Sequence, residues 1–358
     1  MSDARAPATP DAPRPDDPQT VVLSVQHPAH VHFFKHAYRE LDARGHDVHV
    51  FVRDKSVVCD LLDAADVPHS VLLDADGGSV YANQLRYEWR LLRATRGLDP
   101  DVFAGVGGVS TSHVASVLGA RSVAFTDTEH ATLSNALAFP FADTVCTPAC
   151  FRGDAGDSHR RYDGYHELAY LHPDRFDPDP AVLDEVGVDA DEQFVVLRSV
   201  AWSAAHDAGN AGFLDVRDAV ERLEATGATV LVTAEADLPD AVADRRVSVP
   251  PERMHDLLAF ADCFVGEGAT MAAESAVLGT PAVYVNTLET GLTDELAERY
   301  GLLFRCHGSD RQVRALARAT AVLDGAMDRD WDARRADLLA ERTDTTGVVV
   351  DQILGGDG

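Results

Sequence analysis

Residues 263–285, CFVGEGATMAAESAVLGTPAVYV, decide the fold. Cys263 to Val265 reads as a short buried strand. Gly266-Glu267-Gly268-Ala269-Thr270 ends it, and a helix of small residues follows at once through Ala272, Ala273 and Ala276. Gly279-Thr280-Pro281 then turns the chain into a second apolar strand, Ala282 to Val285. Strand, helix and strand in this order make a parallel βαβ unit. Open parallel sheets bind ligands beyond the carboxyl ends of their strands. The turn at Gly266, Gly268, Ala269 and Thr270 therefore stands at a ligand-binding edge. Glycine lets a ligand approach the backbone, and free amides at a helix start attract phosphate. Glu274 lies one turn further in, where a carboxylate can accept two hydrogen bonds from a ribose diol. Small residues also serve plain helix–sheet packing, so the spacing alone leaves both readings open.

The same rhythm runs outward in both directions. Toward the N-terminus, Phe194–Ser199 and Thr229–Thr233 read as further strands of this unit. A separate alternating series occupies the first part of the chain, with strands at Val21–Val25, Val48–Val52, Ser70–Leu73, Val102–Gly105, Ser122–Thr126 and Thr144–Thr147. The expected architecture is α/β, with two Rossmann-like, doubly wound parallel sheets facing a cleft. Residues 1–18, rich in Pro, Asp and Ala, read as a disordered acidic tail with no apolar signal region. The N-terminal domain is expected over 19–165, a linker over 166–180, and the C-terminal domain over 181–330. A last helix and tail, 331–358, is expected to cross back toward the first domain.

Composition narrows the partners. The 358 residues carry 59 Asp and Glu against 31 Lys and Arg, a formal charge of -28, yet 46% are hydrophobic. Lys35 and Lys55 are the only lysines. A charge this negative argues against nucleic acid. With a normal apolar fraction it suggests a surface suited to high salt, where screening relieves self-repulsion. No run reaches the roughly 18 apolar residues of a membrane span. Five scattered cysteines suggest reduced thiols and a cytoplasmic setting.

Further strand-end turns carry polar groups. Gln26-His27-Pro28-Ala29-His30-Val31-His32 opens the first helix, and a histidine there can serve as a base near neutral pH. His32 and His36 are spaced i, i+4, but no carboxylate or cysteine completes a zinc set, so no metal is expected. Gly107-Gly108-Val109-Ser110 and Phe125-Thr126-Asp127-Thr128-Glu129 follow two more strands. Asp127 and Glu129 read as acid or base groups, and Asp127 or Thr128 equally as a helix cap. Arg198-Ser199-Val200-Ala201-Trp202 opens the second domain, where Arg198 could neutralise a diphosphate. Glu289 and Thr290 follow the Ala282–Val285 strand and should line the same cleft.

Three segments carry a family resemblance: HPAHVHFFKHAYRELDARGHDVHV from His27, YDGYHELAYLHPDRFDPD from Tyr162, and GEGATMAAESAVLGTPAVYVNT from Gly266. Together they resemble the family catalogued as domain of unknown function 354, over about Val21 to Val349. More widely the chain is similar to GT-B nucleotide-sugar enzymes, both glycosyltransferases and non-hydrolysing UDP-GlcNAc 2-epimerases. That resemblance implies a nucleoside diphosphate sugar, a UDP-sugar, as substrate, with no obligatory cofactor. Gly268, Ala269 and Thr270 would meet the diphosphate, with Arg198 or Ser199 nearby, and Glu274 would hold the ribose. His30 falls on the transferase loop histidine and Glu129 on an epimerase acid. His27, Gly107, Gly108, Ser110, Asp127, Glu289 and Thr290 would line the acceptor side. The turn Val106–Val109 lacks the further acid of the epimerases, so glycosyl transfer is the expected reaction. Epimerisation and binding without turnover are the alternatives. The acceptor is left open, a lipid-linked one included; no basic amphipathic patch marks a membrane face, although a peripheral place at the membrane's inner face stays open. Oligomeric state is not legible.

Overall fold

The computed structural model describes residues 17–54, 57–74, 79–199, 215–234, 238–327 and 329–356. Seven parallel strands form the first sheet: β1 (Thr20–Val25), β2 (Asp47–Arg53), β3 (Ser70–Leu73), β4 (Val102–Val106), β5 (Arg121–Phe125), β6 (Thr144–Pro148) and β7 (His159–Tyr162), in the order 3-2-1-4-5-6-7. Five form the second: β8 (Phe194–Ser199), β9 (Thr229–Ala234), β10 (Cys263–Gly266), β11 (Ala282–Val285) and β12 (Leu303–Cys306), in the order 12-11-10-8-9. The central strands are nearly continuous apolar runs because helices cover both faces. Val21, Val22 and Leu23 of β1 and Phe264 and Val265 of β10 are fully buried.

Strand order reverses between β1 and β4 in one sheet, and between β8 and β10 in the other. Ligands of such sheets bind at these switch points. The loops leaving β1, β4, β8 and β10 are the turns that the residue pattern singled out.

Two strands escape a reading by apolar runs. β7, sequence HRRY, exposes Arg160 and Arg161, and β12, sequence LFRC, follows directly on a helical segment. Both are four-residue edge strands, paired on one side only.

The two domains share one core. Leu168, Ala169, Tyr170 and Leu171, between β7 and β8, are at most 2% exposed. They belong to the same apolar cluster as Phe33 and Ala37 of the first domain and Ala272 and Ala276 of the second. The stretch read as the start of a linker is thus a wedge between the domains. The terminal helix Thr345–Leu354 holds it from the other side: the Thr345 and Thr346 hydroxyls donate to the carbonyls of Tyr165 and Ala169, each at 2.7 Å. Arg121 of β5 donates to the Gln352 carbonyl at 2.9 Å, so the chain's end is anchored on the first sheet. Among the described residues no helix is long and apolar enough to cross a membrane.

Candidate functional site

Gly266 closes β10 for a steric reason. A Cβ there would lie 2.5 Å from the Phe264 ring and 3.1 Å from Cβ of Arg198, its partner in register on β8. Gly268 differs, since a Cβ would meet nothing within 4 Å. The helix Ala269–Leu278 therefore starts beside open space, with no side chain capping its first amides and with Thr270 exposed. Unmet amides plus the helix dipole favour an anion at this point. Arg198 and the buried Ser199 end β8 beside it. The rest of that expected turn, Val200 to Trp202, lies outside the described residues.

Glu274, expected to face a ribose, is only 5% exposed. Its Oε1 accepts from the Tyr170 hydroxyl at 2.8 Å and lies 3.0 Å from His255 Nε2. The His32 ring packs edge-on to His255, with centroids 4.6 Å apart, so a first-domain histidine reaches the Glu274 pocket. Burial, then Glu274 and Glu167, holds the Tyr170 hydroxyl well above its usual range, which keeps it a donor. Lys35 is drawn toward this pocket too. Burial first, then Arg39, pushes it down to about 8, while Asp256 and Glu274 oppose the change.

On the first-domain side, His27 caps the helix Pro28–Ala43, its Nδ1 accepting from the Ala29 amide at 3.3 Å. His30 Nδ1 accepts from the Gln26 amide, also at 3.3 Å. Burial first, then His27 and His166, pushes His30 down to about 3. A neutral imidazole whose Nδ1 is an acceptor carries its proton on Nε2. His30 therefore carries its proton on Nε2, which makes that atom a donor. Gly107 and Gly108 take left-handed backbone, and a Cβ on Gly108 would lie 2.4 Å from the Ala124 Cβ. Ser110 is 1% exposed and accepts from Gln84 Nε2 at 2.8 Å. Its hydroxyl belongs to a core network and does not line the cleft.

Asp127 and Glu129 leave β5 in different directions. Asp127 Oδ2 lies 3.4 Å from His166 Nδ1. His166 Nε2 is buried without a partner, as are Glu167 Oε2, Glu129 Oε2 and the Tyr162 hydroxyl. Burial, then Asp127 and Glu274, pushes Glu167 well above the usual carboxyl range. Burial lowers His166, against the pull of Asp127. His166 Nε2, Glu167 Oε2 and the Tyr162 hydroxyl are thus orphaned polar atoms around Asp127, unusual for a packing core, where nearly all such atoms are satisfied.

Glu129 crosses to the second domain. Its Oε1 accepts from the Gly291 amide at 2.8 Å and the Arg152 amide at 3.3 Å. Gly291 begins the helix Gly291–Glu295 just after β11, with Thr290 as its buried cap in a reciprocal pair with Thr293. The carboxyl edges of β5 and β11 are thus in direct contact. Glu289 points outward, 3.8 Å from His307. The structure gathers Asp127, Glu129 and His30 with His166 and Glu167 at one end of the first sheet. Glu274, with Tyr170 and His255, adjoins this group through Glu167. His166, Glu167 and Tyr170 were missed because YHELAYL reads by composition as linker, although two ionisable groups inside an apolar run were a usable signal.

A family model described as "Protein of unknown function (DUF354)" matches residues 20–324. The chain belongs to that family. An uncharacterized protein of Methanocaldococcus jannaschii is 23% identical over 279 residues, 74% of this chain and 80% of that one. Among solved structures, the UDP-GlcNAc 2-epimerase of the same organism aligns with a TM-score of 0.65 and 10% identity, covering 94% of this chain and 99% of that one. The spinosyn forosaminyltransferase SpnP aligns at 0.61 and 15%, covering 94% and 100%. At such identities the likeness is one of fold. This chain has the GT-B architecture of two parallel-sheet domains.

Proposed function

We propose that this DUF354 protein binds a nucleoside diphosphate sugar between its two sheets and transfers the sugar to an acceptor. The observation that carries the reading is the contact of Glu129 with Gly291, which joins the carboxyl edges of both sheets beside the Asp127–His166 pair. The diphosphate would lie on the amides of Gly268, Ala269 and Thr270, with Arg198 and Ser199 beside it. Glu274 Oε1 is already engaged by Tyr170 and His255, which leaves Oε2 for the ribose.

The acceptor hydroxyl gives its proton to His166 Nε2 as its oxygen attacks the anomeric carbon. Asp127 holds the opposite ring nitrogen, which keeps Nε2 as the basic atom. The bond from the anomeric carbon to the diphosphate oxygen breaks, and the diphosphate leaves with the electron pair. Its growing charge meets the helix amides and dipole, an arrangement that needs no reorganisation during the step. His30 Nε2–H is a donor to a sugar or phosphate oxygen. Because His166 Nε2 is sealed in this conformation, substrate entry requires the Glu129–Gly291 contact to open and reclose.

One observation favours a second reading, 2-epimerisation. Elimination and re-addition at C2 needs several acids and bases around the sugar. Glu167, beside Asp127 and pushed upward by burial, supplies a carboxyl that the Val106–Val109 turn lacks. Incubation with UDP-GlcNAc, followed by NMR, separates the cases. Release of UDP only when an acceptor is added supports transfer. Epimer formed without acceptor supports the second reading, and binding with neither product overturns both.

A further inference from the structure

Among the described residues ten large apolar side chains are exposed, and seven of them fall on three neighbouring segments of the first domain. Tyr81, Leu85 and Trp89, exposed by 67%, 67% and 58%, form a stripe at four-residue spacing on the helix Val80–Thr95. Leu133, Leu137 and Phe141 repeat that spacing along Thr132–Phe141, and Val117 stands on the helix Val109–Leu118 between them. His113 ties the three together. Its Nδ1 is 3.3 Å from Glu88, its Nε2 3.0 Å from the Leu137 carbonyl, and its ring 4.8 Å from that of Phe141. The first helix has its own buried side, through Asn83, Tyr87 and Leu91, so the stripe is not a core face left bare by chance.

The charge on this face runs against the rest of the chain. Within a net charge of -28, residues 81–96 carry Arg86, Arg90, Arg93 and Arg96 against the single acid Glu88. All four arginines are exposed, and the Arg93 guanidinium lies 5.5 Å from the Trp89 ring centre. Aromatic, leucine and arginine side chains on one exposed helix face are the composition of an interfacial helix. A second copy related by a two-fold axis would set arginines against arginines, whereas an anionic surface would receive them. The expectation of no basic amphipathic patch is thus corrected by the helix Val80–Thr95.

We propose that the outer face formed by Tyr81, Leu85, Trp89, Leu137 and Phe141, with the arginines of the same helix, docks on an anionic lipid bilayer. Docking would hold the acceptor-side domain against the membrane without any spanning segment. The inference is independent of which reaction the cleft performs.

The test is co-sedimentation of the full chain with vesicles of phosphatidylcholine alone or with 30 mol% phosphatidylglycerol, a mixture set at roughly that level to give an anionic surface. Binding to the anionic vesicles is expected. Leu85→Ser with Trp89→Ser should weaken it at least about tenfold at an unchanged melting temperature, because both positions are exposed. Arg86→Gln with Arg93→Gln should weaken it by about fivefold for each arginine at low salt and less in molar salt. No binding to anionic vesicles, or binding that these variants leave intact, overturns the proposal. So does a dimer in solution that the Leu85 and Trp89 changes dissociate while vesicles stay unbound.

Discussion

Glu129 accepts the backbone amide of Gly291 at 2.8 Å across 162 positions of sequence. This bond joins the loop after β5 to the loop after β11. A Cβ on Gly291 would lie 1.9 Å from the Cys150 carbonyl oxygen and 2.9 Å from Glu129 Oε1. Gly291→Ala should therefore part the two loops and cost roughly 1–3 kcal/mol, as overpacked sites do. The midpoint of urea unfolding measures this, and an unchanged midpoint would refute the tight contact.

Glu274 is the hub of a buried polar group, and its removal leaves the Tyr170 hydroxyl and His255 without their acceptor. Glu274→Ala should lower stability by about 1–3 kcal/mol, the usual cost of orphaned buried donors. Affinity for UDP should fall as well. Glu274→Gln keeps an acceptor oxygen and should lose less in both measurements. Equal losses in the two variants would show that charge, not hydrogen bonding, holds the pocket.

His30 and His166 make opposite predictions. His166→Gln should lower kcat by roughly 100-fold or more, the scale of a lost general base, with UDP affinity unchanged. His30→Gln keeps an N–H donor in nearly the same place and should cost less than about tenfold. Steady-state kinetics on both variants decide between them, and the reverse ranking would return the base role to His30.

Several histidines link stability to pH. Burial lowers His30 to about 3 and, with Lys35, Arg39 and Arg175, lowers His36 to about 4; His32 and His166 move the same way. Below an unfolded value near 6.5 the unfolded chain binds protons that the folded chain refuses, so stability falls as pH drops from about 6.5 toward 4. Each histidine contributes at most about 1.4 kcal/mol per pH unit in that window. Glu167 acts in the opposite sense. Its raised folded value stabilises the fold below about 4.5 and loses that contribution as pH rises. The melting temperature in molar salt should fall between pH 7 and pH 5, and a rise would contradict the balance described.

The fold was legible because central parallel strands are buried on both faces and read as apolar runs, as Val21–Val25 and Cys263–Val265 do. The edge strands β7 and β12 were not, since they carry arginines where one side meets solvent, whereas the edge strands β3 and β9 keep apolar runs and were read. The strand-to-helix turn at Gly266–Thr270 was legible from local sequence, since its glycines and small residues act on near neighbours. The wedge Tyr165–Leu171 was not. Its burial depends on partners far along the chain: Tyr170 meets Glu274 across 104 positions and Tyr165 meets Thr345 across 180. His30 was found by position, but its tautomer rests on the Gln26 amide, a backbone detail that side-chain pattern does not carry.

The central claim is that a nucleoside diphosphate sugar binds on the open helix start at Gly268–Thr270. Thr270→Asp tests it most directly. Thr270 is exposed in the first turn of its helix, where a carboxylate suits the dipole and leaves the fold intact. The same carboxylate would occupy and repel the diphosphate position. Calorimetric titration with UDP-GlcNAc should show binding to the unmodified chain and at least about tenfold weaker binding to the variant, a loss near 1.4 kcal/mol, at a melting temperature no lower. Equal affinity in the two proteins, or no binding to the unmodified chain, would contradict it.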